Sequence, residues 1–121
     1  MKIAITSYGD RLESRVDKSF GRANWFIVVD DQDGSFKAYS NKENVDAPQG
    51  AGAQAGQKVA DMGAEILLTG NVGPTALKTL QAASIRIFNV NDEITVAEAV
   101  ARWKEGRLAE AKETTFEGKW V

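Results

Sequence analysis

The chain has 121 residues, 43% hydrophobic and 26% charged, the composition of one ordinary globular domain with a core of its own. Fifteen Lys and Arg against seventeen Asp and Glu leave a formal charge of −2, so there is no basic excess to hold a nucleic-acid backbone. The complete lack of cysteine and histidine excludes a disulfide framework and removes the usual soft and borderline metal ligands. No apolar run approaches the ~20 residues of a membrane span. The opening Met1-Lys2-Ile3-Ala4-Ile5-Thr6 alternates instead of forming a signal-peptide core, and the expectation is a cytoplasmic protein with neither nucleic acid nor membrane as partner.

In chain order, Ile3 and Ile5 predict a first strand that ends in the turn formers Ser7-Tyr8-Gly9-Asp10. Residues 10–24 are charged and broken, with Leu12, Val16 and Phe20 four apart, and are expected to form a loop pinned by these apolar anchors. Trp25–Asp30 and Phe36–Ser40 flank Asp33-Gly34 and predict an antiparallel hairpin. Asn41 to Gln49 is polar, carries Pro48, and predicts a connecting loop. The stretch Gly50-Ala51-Gly52-Ala53-Gln54-Ala55-Gly56 then opens a helix whose buried stripe is Ala55, Val59 and Met62, capped by Gly63.

Ile66-Leu67-Leu68-Thr69 is a short continuous apolar run, as in a strand buried on both faces. Gly70-Asn71-Val72-Gly73 leads to Pro74 at a first helical position, with Ala76, Leu77, Leu80 and Ala83 as the apolar face. Ile85, Ile87 and Val90 predict another strand. Thr95-Val96-Ala97-Glu98 is a capping box opening a helix lined by Val96, Val100 and Trp103 and stopped by Gly106. Residues 1–108 thus form the domain, and 109–121 a charged tail whose Phe116 and Trp120 suit docking or a partner. Right-handed crossovers make strands 1, 4 and 5 parallel, with the hairpin antiparallel at one edge. The expected fold class is α/β, a mixed five-stranded sheet of order 3-2-1-4-5 with helices on its faces.

Two glycine-rich segments precede helices, at 50–56 and 69–74. Bare backbone at a helix start serves either close packing on the sheet or the approach of main-chain N–H groups to an anion, and the residues alone leave both open. A dinucleotide site is disfavoured because polar loop, not a buried strand, precedes Gly50, and the absence of G-K-[ST] excludes a P-loop. Arg22, in Ser19-Phe20-Gly21-Arg22-Ala23, has a guanidinium fork suited to an anion held by the other loops, and Arg11 lies nearby in sequence. Triad chemistry lacks its histidine base, and the central strands carry no carboxylates for two-metal hydrolysis, so no enzyme is expected.

The order of these motifs, from Lys2-Ile3-Ala4-Ile5 through Phe20-Gly21-Arg22-Ala23 to Leu67-Leu68-Thr69-Gly70-Asn71-Val72-Gly73-Pro74, resembles the dinitrogenase iron–molybdenum cofactor biosynthesis family. That is the NifX/NafY group with the C-terminal domain of NifB, and the likeness covers roughly residues 1–108, a whole domain. The resemblance implies a ribonuclease-H-like fold without nuclease activity. It further implies carriage of an anionic metal–sulfur cluster, a molybdenum–copper sulfide cluster being favoured and an iron–molybdenum cofactor precursor second, with cluster donor or acceptor proteins as partners. Many members carry a histidine just before Phe-Gly-Arg and others beside the Gly-rich loop, where this chain has Ser19 and Pro48-Gln49, so direct side-chain ligation of metal is not carried over. The cradle is expected from Ser7 and Arg11, Ser19 and Arg22, then Gly50, Ala51, Gly52 and Gln54, and finally Gly70, Asn71 and Gly73. The other reading is a protein-interaction or regulatory module, without a cluster, that uses the Phe116/Trp120 tail.

Overall fold

Ile3 and Ile5 project from one side of the first strand and Ala4 from the other, the two-residue period of a pleated strand. This strand, β1 (Lys2–Ser7), takes an antiparallel neighbour on one side and a parallel one on the other. The computed structural model describes residues 1–45 and 50–112. Within them β2 (Trp25–Asp30) and β3 (Phe36–Ser40) form the expected hairpin, and β4 (Ile66–Thr69) and β5 (Arg86–Asn89) continue the sheet in parallel. The helices are α1 (Lys42–Val45), α2 (Ala51–Asp61), α3 (Pro74–Ala82) and α4 (Val96–Lys104).

Two expectations change. The sheet has six strands, in the order β3-β2-β1-β4-β5-β6, because β6 (Glu110–Ala111) pairs antiparallel with Ile87 and Phe88. Glu110 is fastened by Arg86, whose Nε and Nη2 reach its two carboxylate oxygens at 3.1 and 2.9 Å, so a charged segment expected to be tail is attached to the edge of the sheet. The polar stretch after Asn41 also contains the short helix α1, which an ion pair between Glu43 and Lys58 ties to α2. Pro48, Gln49, Phe116 and Trp120 lie outside the described residues, and with them the docking expected of the tail.

Each face of the sheet has its own core. Ala4, Phe26, Val28, Leu67 and Ile87 pack under α2 and α3, against Ala55, Val59, Leu77 and Leu80. On the other face Ile3, Ile5, Ile27, Val29, Ile66 and Leu68 pack under α4, against Val96, Ala99 and Val100. Leu67 and Leu68 are both fully buried, which is why β4 reads as an unbroken apolar run. Truncating either to Ala costs about 2–5 kcal/mol by the usual cavity scale. The loop at 8–24 is held as anticipated, with Val16 and Phe20 buried and Leu12 packed against the α4-side core. These packings bring the carboxyl ends of β1 and β4 and the first turns of α2 and α3 to one end of the sheet.

Candidate anion-binding site

The carboxyl ends of parallel strands are where open α/β sheets bind ligands. Thr6 and Thr69, at the ends of β1 and β4, are buried and share a hydroxyl hydrogen bond of 2.7 Å. The Thr6 hydroxyl also donates to the Asp17 carbonyl at 2.5 Å, which draws the returning chain onto the strand ends. From there residues 18–20 run beside Asn71 as a parallel bridge. The Asn71 N–H donates to the Lys18 carbonyl (2.5 Å), and the Phe20 N–H donates to the Asn71 carbonyl (3.2 Å). Gly70 permits this contact, since a Cβ there would lie 2.6 Å from both the Lys18 Cβ and its carbonyl oxygen.

A cleft of about 300 Å³ opens beside this junction. Ser19, Phe20, Gly21 and Arg22 form one wall, Gly50 to Gly52 a second, and Asn71 with Gly73 to Ala76 the third. Two of the walls nearly touch. A Cβ on Gly21 would stand 3.1 Å from both Cα and N of Gly52, so these glycines set how closely the turn approaches the start of α2. Seven of the expected cradle residues therefore come together: Ser19, Arg22, Gly50, Ala51, Gly52, Asn71 and Gly73.

Ser7, Arg11, Gln54 and Gly70 are not among the lining residues. Ser7 is buried, and its hydroxyl closes a turn with Gly9, donating to the carbonyl at 2.7 Å and accepting from the N–H at 3.2 Å. Arg11 is carried elsewhere because its turn docks on α4, where the Leu12 and Ser14 carbonyls accept from the N–H groups of Ala97 and Val96. Gln54 is exposed one turn into α2, and Gly70 lies buried beneath the Lys18 crossing, its carbonyl accepting from Nδ2 of Asn89 at 2.9 Å.

The electrostatics of the cleft come from two helix starts and one cation. Gly50 stands at the capping position before α2 and Gly73 at that before α3, and neither helix has a side-chain cap. No described residue accepts a hydrogen bond from the N–H groups of Ala51, Gly52, Ala53, Thr75 or Ala76. Such groups carry the positive end of the helix dipole. Arg22 is exposed at the mouth, where its Nη1 donates to the carbonyls of Asn44 (3.3 Å) and Val45 (3.0 Å). No Asp or Glu is among the described lining residues, and no group of three or more His, Cys, Asp or Glu among the described residues is placed to hold a metal ion. The donor set suits a whole anion held by hydrogen bonds.

Two supporting residues were not anticipated. Asp17 is buried, and its Oδ1 accepts from the Ser19 N–H at 3.0 Å. Burial raises its pKa above the ordinary carboxylate value, against the lowering effect of backbone hydrogen bonds from Ser19 and Asn24. Asn41 is also buried and bonds the far side of the same turn. The available signal was modest: each is a polar side chain directly beside an expected apolar anchor or strand end.

Known proteins with this arrangement identify its family. The apo form of the orange protein from Desulfovibrio gigas superposes with a TM-score of 0.92 at 38% identity, over 95% of this chain and 96% of that one. A Thermotoga protein described as a candidate NifB protein gives a TM-score of 0.84 at 37% identity, over 97% and 98% of the two chains. An uncharacterised protein of Methanocaldococcus jannaschii is 27% identical over 110 residues, 89% of each chain. The family model described as dinitrogenase iron–molybdenum cofactor matches residues 1–106, and the chain belongs to that family.

Proposed function

We propose that this protein binds and carries an anionic metal–sulfur cluster in the cleft between α2, α3 and the turn at 19–22, without enzymatic turnover. One observation carries the reading: two uncapped helix starts and Arg22 face a single cleft whose described lining contains no carboxylate. A multiply charged sulfide cluster presents many weak acceptor sulfurs over a broad surface, which suits scattered N–H donors better than one strong ligand does. The lining also offers apolar contact from Ala51, Pro74 and Ala76, as a soft sulfide surface requires. Membership in the cofactor family and similarity to the orange protein support a molybdenum-containing cluster; a molybdenum–copper sulfide is the first cargo of this reading, with an iron–molybdenum cofactor precursor as the other. Proteins that deliver or receive the cluster would be its partners in the cytoplasm.

The test is reconstitution. Apo-protein given tetrathiomolybdate and copper(I) without oxygen, then desalted, should retain both metals in fixed ratio and show charge-transfer absorption. A colourless, metal-free product would remove the proposal. Arg22→Ala should release cluster faster than Lys37→Ala, since Lys37 lies on the exposed hairpin strand β3 away from the cleft.

A further inference from the structure

Asn41 directly precedes α1, the position from which an asparagine ordinarily turns its side-chain oxygen onto the first N–H groups of its own helix. Here that side chain is committed elsewhere. Its Nδ2 donates to the carbonyls of Ala23 (2.8 Å) and Gly21 (3.3 Å), and its Oδ1 accepts from Nδ2 of Asn44 (2.8 Å). The main chain is engaged as well, the N–H donating to the Asn24 carbonyl and the carbonyl accepting from the Asn44 N–H, both at 2.9 Å. Gly21 and Ala23 flank Arg22. The Arg22 guanidinium returns to the carbonyl of Asn44, which completes a ring of contacts: Asn41 to the 21–23 turn, Arg22 to Asn44, and Asn44 to Asn41.

We propose that Asn41 is the positioning residue for the cationic wall of the cleft, fixing the main chain on both sides of Arg22 and, through Asn44, the seat of its guanidinium. The inference rests on the anion-binding reading above and adds to it a residue that does not line the cleft. The chemistry requires an amide. Two donors must face two carbonyls while one acceptor faces an amide N–H, a combination that carboxylate, hydroxyl and aliphatic side chains do not supply. An aspartate would set negative charge against the two carbonyls, and a leucine would leave them and the Asn44 amide without partners inside the fold. Asn41 lies on a different part of the chain from Arg22 and reaches the 21–23 turn through these hydrogen bonds.

The experiment is a double-mutant cycle on the full chain, titrated anaerobically with tetrathiomolybdate and copper(I), with thermal unfolding measured on every variant. Asn41→Ala and Arg22→Ala should each weaken retention by about tenfold or more, as loss of a charge-assisted donor does. The double variant should be no weaker than Arg22→Ala alone, because both changes remove the same contact with the cluster. Thr95→Ala, which loses the α4 cap on the opposite side of the sheet, serves as the stability control and should retain cluster as the wild type does. If Asn41→Ala does not fold, Asn41→Ser, which keeps one donor, takes its place in the cycle. Wild-type retention in the Asn41 variant, or additive losses in the double variant, overturns the positioning role while cluster binding stands. A wild-type protein that takes up no cluster overturns both.

Discussion

The start of α4 and the starts of α2 and α3 solve the same problem in opposite ways. At α4 the first four N–H groups are all used: Val96 donates to the Ser14 carbonyl, Ala97 to Leu12, Glu98 to the Thr95 hydroxyl and Ala99 to the Thr95 carbonyl. The Glu98 carboxylate closes the capping box on the Thr95 N–H at 2.9 Å, and its pKa is lowered chiefly by that hydrogen bond. At α2 and α3 glycine occupies the capping position, no side chain caps either helix, and the first residues of both line the cleft. Local backbone geometry does not explain the contrast between α3 and α4. Gly73 has φ −77° and ψ 170°, Thr95 has φ −81° and ψ 165°, and a capping side chain would be accommodated equally by either backbone. Stability alone would have capped both, which is the physical argument for a ligand at one of them.

Supplying the missing cap should therefore have the largest effect. Gly73→Asp places a carboxylate where the proposed cluster meets α3, and cluster retention should fall by more than about tenfold, the ~1.5–3 kcal/mol of lost charge-assisted hydrogen bonding. Thermal unfolding should show stability unchanged or raised by a few tenths of a kcal/mol, the usual difference between glycine and aspartate at a cap. Retained affinity in this variant would erase the distinction between the two helix starts. The converse change is smaller. Thr95→Ala should cost about 1 kcal/mol, roughly 4 °C in melting temperature, with cluster affinity unaltered.

The smallest effect concerns Asp17, whose carboxylate accepts from the turn that carries Ser19. Its pKa in the folded state is raised above the ordinary 3.8, mainly by burial, so the folded protein binds this proton more readily than the unfolded chain. The favourable contribution is complete below the unfolded value and is lost as pH rises through the folded one. Asp17→Asn keeps an acceptor for the Ser19 N–H and removes the charge. Denaturant titrations should find the variant at least as stable as wild type at pH 7, with its relative advantage shrinking as pH falls through the raised folded-state value and gone below the unfolded value of 3.8. An advantage that grew on acidification would contradict the burial argument.

Much of this arrangement could be read from local residues because it is locally encoded. The alternation in Lys2–Ser7, the Asp33-Gly34 turn and the Thr95–Glu98 box each act within a few positions, and the strands and the α4 cap follow them. The cleft was legible where chain order and a helix start coincide, as at Gly50–Gly52 and Gly73. It was not legible where a tertiary contact decides. Arg11 is a plausible cation near the site in sequence, yet the docking of its turn on α4 takes it away. Asn41 looked like one polar residue in a connecting loop, because its partners at Gly21 and Ala23 are distant in sequence. β6 was missed for the same reason: two residues have no periodicity, and Glu110 belongs to the sheet through its long-range pairing with Arg86 and β5.

The bridge between residues 18–20 and Asn71 has a consequence for how such a protein changes over time. It is made of main-chain groups, which nearly every amino acid brings, so the junction does not depend on which side chain stands at position 19. Ser19 is exposed at the rim, and its side chain is a replaceable fitting on a permanent bracket. If the cleft holds the proposed cluster, a ligating residue introduced there would meet a cargo that backbone donors also contact. Exchange between electrostatic capture and direct coordination then becomes a matter of one codon, with the surrounding architecture left as it is.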